Sequence, residues 1–317
     1  MSQKPKVIVI LGPTSCGKTK LAVDLAYKLN GEIISADSRQ VYKGLDIGTG
    51  KDLKEYSFID PKTQKKVEIK YHLIDVADPG KQFNLFDYKK LAQKAINDVI
   101  SRGKLPFVVG GTGLYIDSLV FNFDLGLEKK DNNLRIKLNR STIKALQKRL
   151  KKIDKKNRFY GSIDLANKRR VIRAIEILEK NSGLPAKTPP IYDFLILGIK
   201  YSIKKIRKRI KIRLKERLEE GLIEEVEGLI KNNLSQSRLE ELGLEYKYIP
   251  KYLNGELKKK ELIEILWTKN GQYAKRQLTW FKRNKNIHWV KNQKEAKKLI
   301  EEFTSCQAQT RTQPDLY

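Results

Sequence analysis

Histidine and cysteine are nearly missing from this chain of 317 residues: two of each occur, His72 and His288, Cys16 and Cys306. Neither pair has metal-ligand spacing, so both histidines read as structural and no zinc centre is expected. Two distant cysteines give no disulfide framework and suit a reducing compartment, the cytoplasm. No run of about 18 apolar residues occurs, so no membrane helix is expected. With the short polar start, Met1 to Lys6, no signal peptide is expected. A Walker B strand ending in Asp with a catalytic Glu is also lacking; Leu73-Ile74-Asp75 is the nearest approach. Acidic residues are few beside basic ones, 37 against 66, for a net charge of +29. Residues 1–120 carry +6 of that and the remainder +23. Such a surface suits a polyanion; an AT-biased genome that raises lysine everywhere is the alternative.

What is present begins at Gly12-Pro13-Thr14-Ser15-Cys16-Gly17-Lys18-Thr19, which matches G-x-x-x-x-G-K-[ST]. It follows an apolar run, Val7–Leu11, and opens an amphipathic pattern from Lys18 to Leu29, the context a true phosphate loop requires. The glycines let successive N–H groups face an anion, and the helix N-terminus adds positive potential. Lys18 supplies a point charge, and Thr19 is a candidate ligand for Mg²⁺. Such a loop binds phosphate without naming the reaction.

Strands are expected at Ile33–Ser35, Leu73–Val76, Pro106–Val109 and Phe194–Ile199. Helical spacing covers Tyr88–Arg102, Ile203–Asn232 and Lys258–Arg283. Alternating strands and helices imply a parallel sheet covered on both faces. The expected fold is therefore α/β, a P-loop NTPase-like parallel sheet with an all-helical insertion domain. The expected boundaries are 1–126 for the first part of the core, 127–190 for the insertion, 191–303 for core completion and C-terminal helices, and 304–317 for a disordered tail. Asp37 ends the second strand, in the crevice where such sheets place ligands. It reads either as a general base or as a helix N-cap. Thr112, after Gly110-Gly111, reads as a turn hydroxyl.

Further blocks follow in order: Ser35-Ala36-Asp37-Ser38-Arg39-Gln40-Val41-Tyr42, His72-Leu73-Ile74-Asp75, Gly110-Gly111-Thr112-Gly113-Leu114-Tyr115 and Arg170-Val171-Ile172-Arg173-Ala174-Ile175-Glu176. Gly221-Leu222-Ile223-Glu224-Glu225-Val226 and Gln272-Tyr273-Ala274-Lys275-Arg276-Gln277-Leu278-Thr279-Trp280-Phe281 close the set. With the phosphate loop, these resemble the tRNA dimethylallyltransferase family, tRNA isopentenyltransferases that act next to the anticodon. The match runs from about residue 6 to 290. The resemblance implies dimethylallyl pyrophosphate as donor, Mg²⁺ as cofactor, an adenosine N6 amine of the tRNA anticodon stem-loop as acceptor, and a cytoplasmic monomer. It implies catalysis by Asp37 with Thr112 as its hydroxyl partner. Arg209 and Arg213, four apart, match family arginines that clamp pyrophosphate or RNA; for Arg213 a solvated charge run is the favoured alternative. Asp37, Ser38, Arg39 and Gln40 correspond to the segment touching the target nucleotide, and Gln40 is suited to an adenine edge. Arg135 matches a tRNA-contact arginine by spacing. Arg169, Arg170, Val171, Ile172 and Arg173 correspond to a further RNA-contact run, although Val171 and Ile172 also belong to an apolar helix face. Lys275, Arg276 and Gln277 complete the implied tRNA set. The stripe of Tyr273, Gln277, Trp280 and Phe281 reads as core rather than base-stacking platform.

The chain departs from the family pattern in several places. Gly50-Lys51-Asp52 follows Thr49 where Ala-Lys-Pro is usual. Leu53–Tyr71 is a longer polar stretch suited to a hairpin. Gly243-Leu244-Glu245-Tyr246-Lys247 stands in for a Gly-Tyr-basic block. Asn270-Gly271-Gln272 lacks an arginine, and Asp154-Lys155-Lys156 lacks a Pro turn. Two rivals are a small-molecule P-loop kinase using ATP and a nucleotide-gated RNA-binding protein. The kinase leaves the basic insertion and the Tyr273–Phe281 block unexplained.

Overall fold

The sequence Lys6–Leu11, KVIVIL, is apolar on both its alternating faces, the pattern of a strand buried from both sides. In the computed structural model, which describes residues 3–60, 62–125, 132–179 and 187–305, it forms β1 at the centre of a sheet. The phosphate loop leads into α1 (Lys18–Lys28), and β2 (Gly31–Ala36) follows. A small antiparallel hairpin, β3 (Ser57–Ile59) and β4 (Lys66–Glu68), fills the long polar stretch. Then come β5 (Tyr71–His72), α2 (Leu85–Ser101), β6 (Leu105–Gly110) and α3 (Gly113–Val120). After the insertion helices α4 (Asn132–Arg140), α5 (Ile143–Ile153) and α6 (Lys168–Glu179), β7 (Asp193–Ile199) returns to the sheet. The chain closes with α7 (Ile203–Glu219), α8 (Leu222–Lys231), α9 (Gln236–Leu242), α10 (Leu244–Leu253), α11 (Lys259–Phe281), β8 (His288–Val290) and α12 (Gln293–Ser305).

The main sheet has six parallel strands in the order β5-β2-β6-β1-β7-β8. Val7, Val9 and Leu11 pack on one face with Tyr88 and Ile96 of α2 and Ile116 of α3. Ile8 and Ile10 pack on the other with Leu25 of α1 and Ile300 of α12. A third apolar cluster joins Val41, Tyr42 and Leu45 to Leu222, Val226, Tyr246 and Leu266 from α8, α10 and α11. Among the described residues no helix is long and apolar enough to cross a membrane.

Two expectations are corrected. The strand expected at Leu73–Val76 lies instead at Tyr71–His72, because Leu73 and Asp75 take φ of 63° and 57°, left-handed values that break a strand. The helical run expected over Ile203–Asn232 is two helices, divided at Gly221 with φ 99°. Contacts divide the chain into Asn122–Pro189 and a unit formed by the rest. The smaller unit packs α4, α5 and α6 around Leu138, Leu146, Leu150, Val171 and Ile175. The disordered tail expected from residue 304 lies, beyond Ser305, outside the described residues; Thr304 and Ser305 themselves end α12.

Candidate phosphate and acceptor site

The carboxyl ends of β1, β2 and β6 give rise to the phosphate loop, the Asp37 turn and the Thr112 turn, which is where parallel sheets gather ligands. All three border one cavity of about 1280 Å³. Thr14, Ser15, Gly17, Lys18 and Thr19 line one part of it; Asp37, Ser38, Arg39 and Gln40 line another; Thr112, Arg209, Arg276 and Gln277 also face it.

In the phosphate loop, Ser15 and Gly17 take positive φ, 60° and 86°, so the backbone curls before α1 begins. Gly12, Pro13 and Cys16 do not line the cavity. A Cβ at Gly12 would come 2.7 Å from Cys16 Sγ, so the glycine is required by the thiol packed beneath it. Cys16 is buried in the core, and burial raises its thiol pKa. Its place in the motif is therefore structural. The N–H of Thr14 donates to Gln277 Oε1 at 2.8 Å, which removes one of the loop's donors from anion binding.

Asp37 does not cap a helix. Its Oδ1 accepts from Arg39 N at 2.9 Å in a turn that runs on without helix, and the carboxylate faces the cavity. Thr112 Oγ1 accepts from Ser38 N at 3.0 Å, and the Thr112 N–H donates to Ala36 O at 3.1 Å. The hydroxyl thus ties the end of β6 to the Asp37 turn and fixes the direction of the carboxylate. Gln40 does not present a spare amide. Its Oε1 accepts from Ser35 Oγ at 3.2 Å and its Nε2 donates to Gly50 O at 2.9 Å. Arg39 donates through Nη1 to Glu241 O.

Arg209 stands against the phosphate loop, with Nη1 3.5 Å from where a Cβ on Gly17 would lie, and it donates to Tyr201 Oη at 3.1 Å. Arg213 is not part of a solvated run. It turns into the cavity, donates to Gly50 O at 3.2 Å and pairs with Asp52. Gln277 is buried, and its Nε2 donates to Gly111 O at 2.9 Å while its Oε1 holds Thr14. It braces β1's loop against β6's loop, so a direct RNA contact is corrected to bracing. The aromatic stripe divides: Phe281 is core, whereas Tyr273 and Trp280 face the cavity, Trp280 fixed by Nε1 to Asp117 Oδ2 at 2.8 Å. The geometry of α11 decides this, because Gly113 brings α3 against the Trp280 ring. Lys275 and Arg276 are exposed.

In the insertion, Val171 and Ile172 are fully enclosed in its core and are corrected from RNA contacts to packing residues. Arg135 holds buried Glu176 through two hydrogen bonds, at 2.7 and 3.0 Å, and Arg173 reaches the same carboxylate at 3.3 Å. Arg169 and Arg170 are exposed.

Two residues escaped sequence reasoning. Glu225 accepts from the N–H groups of Asp46, Ile47 and Gly48 at 2.7, 2.7 and 3.0 Å and from Tyr246 Oη at 2.8 Å. Lys51 is buried, bonded to Tyr42 O at 2.8 Å and paired with Asp46 and Asp75. Together they pin the 45–52 segment that presents Gly50 O to Gln40 and Arg213. Glu225 in the first turn of α8 reads in sequence only as a dipole-compensating acid. His72 is structural, at 2.8 Å from Glu32. Among the described residues no group of three or more His, Cys, Asp or Glu could hold a metal.

Comparison with known proteins gives a consistent result. A family model described as IPP transferase matches residues 40–284, and one described as isopentenyl transferase matches 5–57. The tRNA dimethylallyltransferase 2 of Shewanella sediminis is 44% identical over 290 residues, 90% of this chain and 92% of that protein. The tRNA dimethylallyltransferase 2 of Treponema denticola is 44% identical over 302 residues, 92% and 97%. The crystal structure of the tRNA isopentenylpyrophosphate transferase from Bacillus halodurans aligns with TM-score 0.67 and 35% identity over 95% of this chain and 96% of that one. A eukaryotic dimethylallyltransferase acting on tRNA aligns with TM-score 0.76 and 25% identity, over 95% and 80%.

Proposed function

The chain belongs to the IPP transferase family, and on that premise we propose that it moves a dimethylallyl group from dimethylallyl pyrophosphate to the N6 amine of the adenosine next to the anticodon, position 37, of tRNA, releasing pyrophosphate. The relatives' names support the tRNA substrate and the group transferred. One observation carries the reading: the Asp37 carboxylate and the phosphate loop border a single cavity wide enough for a diphosphate and an adenine together.

The exocyclic amine of adenine is a weak nucleophile because its lone pair is delocalised into the ring. A carboxylate that accepts its proton as the carbon–nitrogen bond forms is required, and Asp37 serves as that base. Thr112 orients it through the Ser38 N–H. On the donor side the allylic carbon–oxygen bond breaks and charge accumulates on the bridging oxygen. Lys18, Arg209 and the N–H groups at the start of α1 stabilise that charge. Thr19, together with the pyrophosphate oxygens, offers the hard oxygen set that suits Mg²⁺. The ion would neutralise part of the leaving group's charge. No protein metal cluster is needed for this, since the pyrophosphate itself supplies most of the ligands.

The base is an extruded loop nucleotide, at a cost of about a few kcal/mol. Tyr273 and Trp280 offer aromatic faces in the cavity wall for it, and Lys275 and Arg276 offer charge at its rim. Arg169 and Arg170 of the insertion would contribute phosphate contacts. The test is direct. Incubation with bulk tRNA, labelled dimethylallyl pyrophosphate and Mg²⁺, followed by digestion, should yield labelled N6-prenyladenosine. Label recovered on no nucleoside, or on another base, would refute the assignment.

A further inference from the structure

Helix α7 carries Arg209, Arg213 and Arg217 at intervals of four, so the three side chains leave one face of the helix, about 6 Å apart in rise. All three face the cavity. Arg209 belongs to the phosphate loop. The other two converge elsewhere, on Gly50: the Nη2 atoms of both Arg213 and Arg217 occupy the space a Cβ there would need. Gly50 has φ 63°, a left-handed value, so its backbone as well as its missing side chain admits them.

The two guanidinium groups are unequally satisfied. Arg213 has Asp52 and Gly50 O. Arg217 is 13% exposed at the side chain, its Nε is buried without a hydrogen-bond partner, and Glu245 Oε1 stands 3.9 Å from Nη1. That separation is too long for a hydrogen bond. The same Glu245 oxygen already accepts from Asn270 Nδ2 at 3.0 Å. Burial, and then the repulsion of Arg213, lowers the pKa of Arg217. A structural arginine would close on its carboxylate with two parallel hydrogen bonds, as Arg135 does on Glu176. Arg217 does not: its pairing with Glu245 is long and its Nε has no partner. A buried guanidinium whose donors are incompletely used is costly, so the arrangement makes sense as half of a binding site.

We infer that Arg217, converging with Arg213 over Gly50, completes a second oxyanion subsite that takes a phosphate group, separate from the phosphate loop. Guanidinium groups match phosphate oxygens bidentately, and two of them side by side embrace one tetrahedral anion. The phosphate comes either from the pyrophosphate, displaced along α7 from Arg209, or from the RNA backbone beside the nucleotide near Gln40. Gly50 lies between the two, since its carbonyl is shared by Gln40 and Arg213.

The inference relies on the transferase reading only for naming these two sources, and its test requires no turnover. Arg217→Met fills the same space without charge. Thermal unfolding of the ligand-free variant should stay close to wild type, because Arg217 meets Glu245 only at 3.9 Å and Glu245 keeps its hydrogen bond from Asn270. Its Kd should rise about tenfold for one of two probes, inorganic pyrophosphate with Mg²⁺ or unmodified tRNA. A loss confined to pyrophosphate identifies the donor as the source; a loss confined to tRNA identifies the backbone. Both affinities unchanged within twofold, with or without a fall in melting temperature, would overturn the subsite and leave Arg217 a structural partner of Glu245. Arg217→Lys covers failure of Arg217→Met to fold. It keeps the charge but not the fork, and should lose several-fold affinity for the same probe; full retention for both probes overturns the inference. Missing prenylated product in the transfer assay would sink the transferase reading without touching these binding results.

Discussion

Asp37 and Thr112 form a pair in which one residue acts and the other aims. The Asp37 turn leaves Oδ1 bonded to Arg39 N, and the Thr112 hydroxyl fixes the neighbouring Ser38 N–H. Asp37→Asn preserves shape and still accepts from Arg39 N, yet cannot take a proton at neutral pH. Single-turnover transfer with saturating tRNA and donor should slow by about 10²–10⁴, while both affinities stay near wild type. A rate within tenfold of wild type would assign the proton to water or another group. Lys18→Ala separates the other half of the chemistry. It should raise the Kd for pyrophosphate and depress turnover, with tRNA affinity kept within about twofold, a split that isothermal titration with each ligand resolves. These roles follow residue by residue, but Gln40 and Gln277 show the limit of such carry-over. The Gln277 amide is spent on backbone groups of two loops and the Gln40 amide on the Gly50 carbonyl and the Ser35 hydroxyl, so their part in the site is to hold it.

At the scale of elements, the 45–52 segment is a strap held by two charges of opposite sign. Glu225 receives three successive N–H groups, and Lys51 is sunk between Asp46 and Asp75. Charge-assisted hydrogen bonds contribute roughly 1.5–3 kcal/mol each, so the strap is rigid only while Glu225 is a carboxylate. Glu225→Gln turns an amide NH₂ toward backbone donors. Amide hydrogen exchange at Ile47 and Gly48 should accelerate at least tenfold, and kcat/KM for the donor should fall with little change in tRNA affinity. Unaltered exchange would show the strap to be held by Lys51 alone. In the insertion, exposed Arg170 and Glu176-bound Arg173 should behave differently. Arg170→Ala should reduce the slope of log Kd for tRNA against log salt by about one phosphate contact. Arg173→Ala should chiefly lower the melting temperature; equal effects of both on the slope would place Arg173 on the RNA as well.

Across the whole molecule, charge is distributed by task. The sheet's β2 carries a buried carboxylate, Glu32, bonded to Arg102, His72 and Lys104 near the end remote from the cavity. Chiefly the Arg102 hydrogen bonds, against the opposing effect of burial, hold the Glu32 carboxyl far below its ordinary value of 4.5. A depressed carboxyl favours the fold in its charged form. That contribution is complete at neutral pH and declines as pH falls below about 4.5 toward the folded-state value. Glu32→Gln should therefore cost about 3 kcal/mol at pH 7, by urea unfolding, and a smaller amount at pH 3. Equal costs at the two pH values would remove Glu32 from the acid-sensitive groups.

The sequence by itself determined the elements whose signals are local. The apolar run at Val7–Leu11, the glycines of the phosphate loop and the 3.6-residue spacing in α2 and α11 depend on neighbours in the chain, so they could be read before any packing was known. The order of motifs likewise determined the family. Tertiary structure alone decided which polar groups face the cavity. Arg213 sits in a lysine-rich helix indistinguishable from a solvated face, and only the approach of Gly50, more than 160 residues earlier, turns it inward. Val171 and Ile172 share a motif with arginines but not a face, because three helices must bury an apolar stripe. Leu73–Asp75 is apolar enough for a strand, yet the Asp75 carboxylate is drawn to buried Lys51 and the backbone bends to follow. Glu225 binds a loop nearly 180 residues upstream. Contacts of that range are set by the packing of whole elements, and no spacing within the chain encodes them.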